Sequence, residues 1–179
     1  KASEKQALNS LDELLGQAVE RRLVSDVPVG LLLSGGLDST TIGWYMTKLK
    51  RNGSLHSFSV SFDEDSFDES SFAKQAAKAL GTKHHEITFG LPEFKQTLRE
   101  AEPAMDIPFS DASLLPTYLV SKLAREYVTV VLDGDGSDEL FGGYGTFRAA
   151  ELAEKLPRLA PAIWHGLYEA SQLLDRKST

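Results

Sequence analysis

The chain has 179 residues, 41% of them apolar and 25% charged, proportions that suit one globular α/β domain with a sizeable buried core. Its formal net charge of -7 and pI near 5.1 argue against duplex nucleic acid as the main partner, because neutralising phosphates needs a basic face. The absence of cysteine excludes disulfide and thiolate chemistry, and with no signal-peptide core and no bilayer-length apolar run, the expectation is a cytoplasmic chain with no membrane partner.

Residues 4–24 carry Leu8, Leu11, Leu14, Leu15, Ala18, Val19 and Leu23 at spacings of three and four, which predicts an amphipathic helix packing its apolar stripe on the core. Arg21 and Arg22 near its end complement the helix dipole, a phosphate contact being the alternative. Val27-Pro28 breaks this helix ahead of a first strand, Val29 to Leu33. The strand stops at Ser34-Gly35-Gly36, and a helical pattern runs from Thr40 to Leu49, ending at Asn52-Gly53.

The turn between strand and helix, Ser34-Gly35-Gly36-Leu37-Asp38-Ser39, has the makings of an anion trap. Two glycines let backbone approach a ligand closely, the helix start offers unpaired N–H groups and partial positive charge, and Ser34, Ser39 and Thr40 add hydroxyl donors. Asp38 would repel the same phosphate unless a cation stood between them, so it reads as a magnesium ligand. The plainer alternative is a strand-to-helix turn in which Asp38 or Ser39 only caps the helix. A Walker loop is excluded, since no lysine follows the glycines.

A second strand, His56 to Phe62, alternates with period two. Its acidic sequel, residues 63–69, lacks the glycine of a calcium loop, and Ser66-x-x-Glu69 predicts a capping box for a helix ending at Leu80-Gly81. His84-His85-Glu86-Ile87 forms a third strand. Neighbouring strand residues face opposite ways, so its two histidines cannot grip one metal, which favours a structural role. Leu91 to Ala101 predicts a helix, residues 103–111 a proline-punctuated loop, and Ser113 to Glu126 another helix. Val128 to Leu132 is the continuous apolar run of a central parallel strand.

That strand leads into Asp133-Gly134-Asp135-Gly136-Ser137-Asp138-Glu139, four acids and two glycines in seven positions, a costly cluster unless a cation or ligand offsets it. In a parallel sheet the carboxyl ends of the strands share one rim, so this loop and the Ser34 loop should border one magnesium-nucleotide crevice. A flexible acidic turn capping a helix with Ser137 or Asp138 is the plain alternative.

Ser34-Gly35-Gly36-Leu37-Asp38-Ser39 resembles the pyrophosphate loop of the N-type ATP pyrophosphatases. With Phe62-Asp63-Glu64, Pro116-Thr117-Tyr118-Leu119-Val120-Ser121 and Gly136-Ser137-Asp138-Glu139-Leu140-Phe141-Gly142-Gly143-Tyr144, the chain resembles the synthetase domain of glutamine-dependent asparagine synthetases and their amidotransferase relatives, from Val27 to Tyr144. The resemblance implies an α/β fold of the adenine nucleotide α-hydrolase-like, PP-loop type, with a parallel sheet of five or fewer strands and flanking helices. It also implies a leading helix (1–26), a nucleotide-binding core (27–144) and C-terminal helices (145–179), together one domain of a longer chain. The implied activity is ATP-dependent, AMP-forming amidation through an acyl-adenylate, with aspartate as the favoured carboxylate and ammonia as the nucleophile.

Carried over position by position, the resemblance implies that Ser34, Gly35, Gly36, Asp38 and Ser39 hold pyrophosphate and that Asp38 and Asp138 bind magnesium. Leu32, Val60, Asp133 and Gly134 would border the adenine, and Asp135 would stand near the reacting acyl carbon as the catalytic carboxylate that orients ammonia or takes its proton. Asp133 departs from the family, which usually has a small hydroxyl residue there; sequence drift, another nucleotide pose and another subfamily all stay open as reasons. Relatives carry an N-terminal glutaminase domain led by a catalytic cysteine, which these residues lack, so glutamine is not their own ammonia source by that route. A nucleotide-binding module without turnover, or an N-type pyrophosphatase acting on another carboxylate, are the competing readings. The sequence leaves oligomeric state open.

Overall fold

The structure is a computed structural model that describes residues 3–49, 54–64, 68–107 and 111–155. Residues up to Asp135 form one compact unit and those from Gly136 onward another.

The first unit runs α1 (Glu4–Leu23), β1 (Val29–Leu32), α2 (Leu37–Leu49), β2 (His56–Phe62), α3 (Ser70–Leu80), β3 (Lys83–Phe89), α4 (Leu91–Ala101), a 3-10 turn (Glu102–Ala104), α5 (Leu114–Arg125) and β4 (Val130–Leu132). Among the described residues the four strands are all parallel, in the order β3-β2-β1-β4. The chain steps outward from β1 through β2 to β3, then returns to the other side of β1 to lay down β4. The order therefore reverses at β1, and in open α/β sheets ligands bind beyond the carboxyl ends of the strands at such a reversal.

Each face of the sheet is covered by its own cluster. On one, Leu31 and Leu33 from β1 and its exit pack with Val19 of α1, Tyr45 and Met46 of α2 and Ala77 of α3. On the other, Phe58 of β2 packs with Val120 and Ala124 of α5 and with Val128. Helices on both sides of a parallel sheet bury its inner strands twice over, which is why β1 reads as an unbroken apolar run. Tyr45 donates its hydroxyl to Asp12 Oδ1 at 2.7 Å, and burial together with that carboxylate pushes the phenol up to about 12.

Several expectations need correcting. The stripe of α1 packs only through its C-terminal half: Leu15, Val19 and Leu23 join the core, while Leu8 and Leu14 stand 58% and 63% exposed. Arg22 donates from Nη1 to Ala18 O at 3.0 Å, serving its own helix end as the dipole argument expects. β4, expected to be central, is the last strand in the order, pairs with β1 alone among the described residues, and leaves Val130 40% exposed. The third strand is longer than predicted, because all seven residues from Lys83 to Phe89 pair in register with His56 to Phe62. Helix α3 is capped differently: Glu69 makes no side-chain cap bond, and Asp68 instead accepts from Ser70 N at 3.1 Å and Ser70 Oγ at 2.9 Å. Those bonds hold the Asp68 carboxyl below its usual range. Ser66 and Asn52-Gly53 lie outside the described residues.

His84 and His85 do face opposite ways. His84 bonds to Ser57 and Ser59 on one side of the sheet, and His85 stacks on His56 and lies tilted against Tyr127 on the other. No helix among the described residues is long and apolar enough to cross a membrane. In the second unit α6 (Ser137–Phe141) lies between Gly136 and Gly142, and α7 (Gly145–Lys155) follows. The C-terminal helices expected over 145–179 otherwise fall outside the described residues.

Candidate nucleotide site

The site is built at the carboxyl end of β1. Helix α2 begins at Leu37, three residues earlier than the sequence pattern suggests, so Asp38 and Ser39 sit in its first turn. The N–H groups of a first turn have no partner inside the helix. Ser39, only 6% exposed, ties the turn together. Its Oγ receives the Ser34 N–H at 3.3 Å, lies 3.0 Å from Ser34 Oγ and donates to Gly36 O at 3.4 Å. Ser34 Oγ in turn accepts the Gly36 N–H at 3.2 Å. Two of the three hydroxyls predicted to donate to a phosphate, those of Ser34 and Ser39, thus also fix the shape of the loop before any ligand arrives.

Two glycines are required by geometry. Gly35 has φ +84° and lies against the start of α3, where a Cβ would come within 2.5 Å of Ala73 N. Only glycine combines that left-handed backbone with that approach. Gly134, just beyond β4, lies against the start of α2, where a Cβ would meet Ser39 N at 2.8 Å and Asp38 Cβ at 2.9 Å. The two loops thus come together as the sheet topology demands.

Between them lies a cavity of about 400 Å³, a size typical of small-molecule sites. The first loop contributes Ser34, Gly36, Asp38 and Ser39 to its lining, and the second contributes Asp133, Gly134 and Asp135. Leu32, Phe58, Val60 and Val120 supply an apolar wall, suited to the face of a heterocyclic base. Gly35 supports the turn from behind. Asp133 accepts the Asp135 N–H on Oδ1 at 3.2 Å, an Asx-type turn. Its carboxylate shapes the acidic loop, work that a small hydroxyl can also do, which gives a physical reason why aspartate is tolerated there.

Asp138 belongs to the second unit, in the first turn of α6. Neither Ser137 nor Asp138 caps that helix, whose N-cap is Gly136 with no side-chain bond. Beside it, Tyr144 donates its hydroxyl to Glu139 Oε1 at 2.7 Å, which holds the Glu139 carboxyl below its usual range. Among the described residues no group of three or more ligating side chains gathers. A magnesium ion needs none when one or two carboxylates and substrate phosphates complete its shell, and Asp38 at the mouth of a phosphate-type turn fits that mode.

Sequence reasoning missed part of the lining. Ser59 and Ser70, both buried, border the cavity, as do Phe58, Pro116 and Thr117. The signal for Ser59 was present in the alternation of Ser57, Ser59 and Ser61 with Phe58, Val60 and Phe62, which gives β2 one hydroxyl face and one apolar face.

A parallel sheet reversing at β1, with a glycine-hydroxyl turn leading straight into a helix, defines a PP-loop ATP pyrophosphatase fold. The family model described as asparagine synthase matches residues 10–178, and the chain belongs to that family. It is 43% identical over 154 residues to a putative glutamine-hydrolysing asparagine synthetase 2 of Methanocaldococcus jannaschii, covering 84% of this chain and 30% of that protein. Over 145 residues it is 37% identical to the glutamine-hydrolysing asparagine synthetase 1 of Bacillus subtilis, covering 81% and 23%. Over 166 residues it is 32% identical to amidase chyE of Penicillium rubens, covering 85% and 25%. The chain spans less than a third of the length of these curated relatives.

Proposed function

We propose that this chain is the ATP-binding synthetase portion of an enzyme that amidates a carboxylate, converting aspartate to asparagine through an acyl-adenylate. The observation that carries the reading is Gly134 seated against Asp38 and Ser39, which puts a phosphate-type turn and a carboxylate loop on one cavity. A carboxylate oxygen of the acceptor attacks the α-phosphorus, the bond to the bridging oxygen breaks, and pyrophosphate leaves. Ammonia then attacks the acyl carbon, and AMP leaves as the nitrogen loses a proton.

In this reading Ser34, Gly36 and Ser39, with the first-turn N–H groups of α2, bind the leaving pyrophosphate, whose growing charge a helix start and fixed dipoles stabilise, while Gly35 gives the turn its left-handed bend. Asp38 would hold magnesium, which when bound would neutralise phosphate charge. Leu32, Val60 and the Asp133-Gly134 backbone receive the adenine. Asp135 orients ammonia or takes up the proton it releases. Ammonia comes from a glutaminase domain outside these residues, an arrangement supported by the names and lengths of the relatives. The cytoplasm is the compartment that fits a cysteine-free chain of this family.

The test is exchange of labelled pyrophosphate into ATP with magnesium and a panel of carboxylates. Exchange that depends on aspartate supports the proposal. Nucleotide binding without exchange for any carboxylate replaces it with a binding module. Exchange with a different carboxylate keeps the chemistry and changes the acceptor, an outcome made worth testing by the similarity to a protein named amidase chyE.

A further inference from the structure

The hydroxyl face of β2 is unusual for a sheet interior, because Ser57, Ser59 and Ser61 are 0%, 5% and 6% exposed, and buried hydroxyls need partners. Ser57 Oγ lies 2.7 Å from Thr82 Oγ1 and 2.9 Å from His84 Nδ1. Ser59 Oγ lies 3.1 Å from His84 Nε2. The imidazole therefore bridges two serines of the neighbouring strand.

The direction assigned to this chain of bonds takes its far end as the anchor. Thr82 Oγ1 lies 3.4 Å from Ala77 O, and a carbonyl oxygen only accepts. With its proton on Ala77 O, Thr82 accepts from Ser57, and Ser57 accepts from Nδ1–H of His84. The neutral ring then has Nε2 as its acceptor, and the Ser59 hydroxyl proton goes to it. Burial favours the neutral ring, holding His84 below its usual value against the opposing pull of Glu86. Ser59 is left with lone pairs and no proton to offer, on the lining of the nucleotide cavity.

We propose that Ser59 Oγ is a hydrogen-bond acceptor within the nucleotide site, taking an N–H or O–H of the bound nucleotide, and that Thr82, Ser57 and His84 set this polarity from behind. The inference rests on the ATP reading and adds a residue that selects among nucleotides. ATP offers two sources of such a donor, the adenine 6-amino group and the ribose hydroxyls. A nucleotide with an acceptor in place of the donor would leave two sets of lone pairs facing each other beside a buried serine, a disfavoured arrangement.

Calorimetric titration of the chain with ATP, purine riboside triphosphate, 2'-deoxy-ATP and 3'-deoxy-ATP, all with magnesium, tests this on the wild type, Ser59→Ala and Ser59→Thr. One analogue is expected to bind the wild type about tenfold more weakly than ATP, with the gap kept in Ser59→Thr and closed to within about twofold in Ser59→Ala. A gap with purine riboside triphosphate assigns the amino group, and one with a deoxy analogue assigns the ribose. Equal affinity of all four for the wild type overturns the inference while ATP binding stands, and so does a gap unchanged in Ser59→Ala. Failure of every nucleotide to bind overturns the proposed function along with it.

Discussion

In the turn after β1, four hydrogen bonds link Ser34, Gly36 and Ser39, whereas among the described residues the turn after β4 has one, from Asp135 N to Asp133 Oδ1. Both end a parallel strand and both depend on a glycine, yet one is wired by hydroxyls and the other carries carboxylates. A network that is closed before ligand arrives costs little to reorganise, which is what stabilising a growing negative charge requires. Carboxylates side by side gain most when a cation arrives. In the proposed reading the difference divides the labour: the first loop, with Asp38, would receive phosphate and metal, and the second would receive the amine.

This contrast can be broken one residue at a time. Gly35→Ala combines a left-handed backbone with a Cβ pressed on Ala73 N, so it should destabilise the first unit by about 3 kcal/mol and abolish nucleotide binding, as read by urea denaturation and calorimetry. Gly134→Ala meets an ordinary backbone but pushes against Asp38 and Ser39. It should cost about 1 to 2 kcal/mol and weaken ATP binding about tenfold, with the fold retained in circular dichroism. Stability loss without affinity loss in Gly134→Ala would mean that the two loops do not share a ligand. Ser39→Ala removes the centre of the hydroxyl network and should cost about 1 kcal/mol, with binding weakened less than in Gly134→Ala.

The smallest effect concerns the relay behind β2. His84 is held below its usual 6.5, mainly by burial, with Glu86 raising it and His85 and Lys74 lowering it further. Between the folded and unfolded values the unfolded chain binds more protons, so stability rises with pH there. It is lost as pH falls through the unfolded value, and the loss is complete below the folded one. The urea midpoint should therefore drop on acidification from about pH 8 to about pH 5, and His84→Gln should remove part of that slope.

Much of this was legible because local and global signals agreed. The bounds of β2 and α4 match the sequence expectation residue for residue, since strict alternation marks one and a Gly-Leu-Pro entry the other. Asp38 was legible as an odd charge in a phosphate-type turn. The start of α2 was misread because Gly36 leads into the helix with no intervening loop, and Leu37, 83% exposed, adds nothing to the apolar stripe. The cap of α3 was misread because Asp68 and Ser66 have similar capping chemistry and only backbone geometry separates them. The position of β4 was misread because an apolar run suggests a strand covered on both faces, whereas Val130 is 40% exposed and β4 pairs only with β1 among the described residues. The function of Ser59 depends on where the proton of a distant threonine points, which no spacing in the sequence encodes.

The most direct test of the shared site is calorimetric titration of ATP with and without magnesium into the wild type and Asp38→Ala. Magnesium-dependent binding that falls at least about tenfold in Asp38→Ala, at unchanged thermal stability, is the expected result. Equal affinity in the two proteins, or binding indifferent to magnesium, would contradict a metal-charged triphosphate held between the two loops.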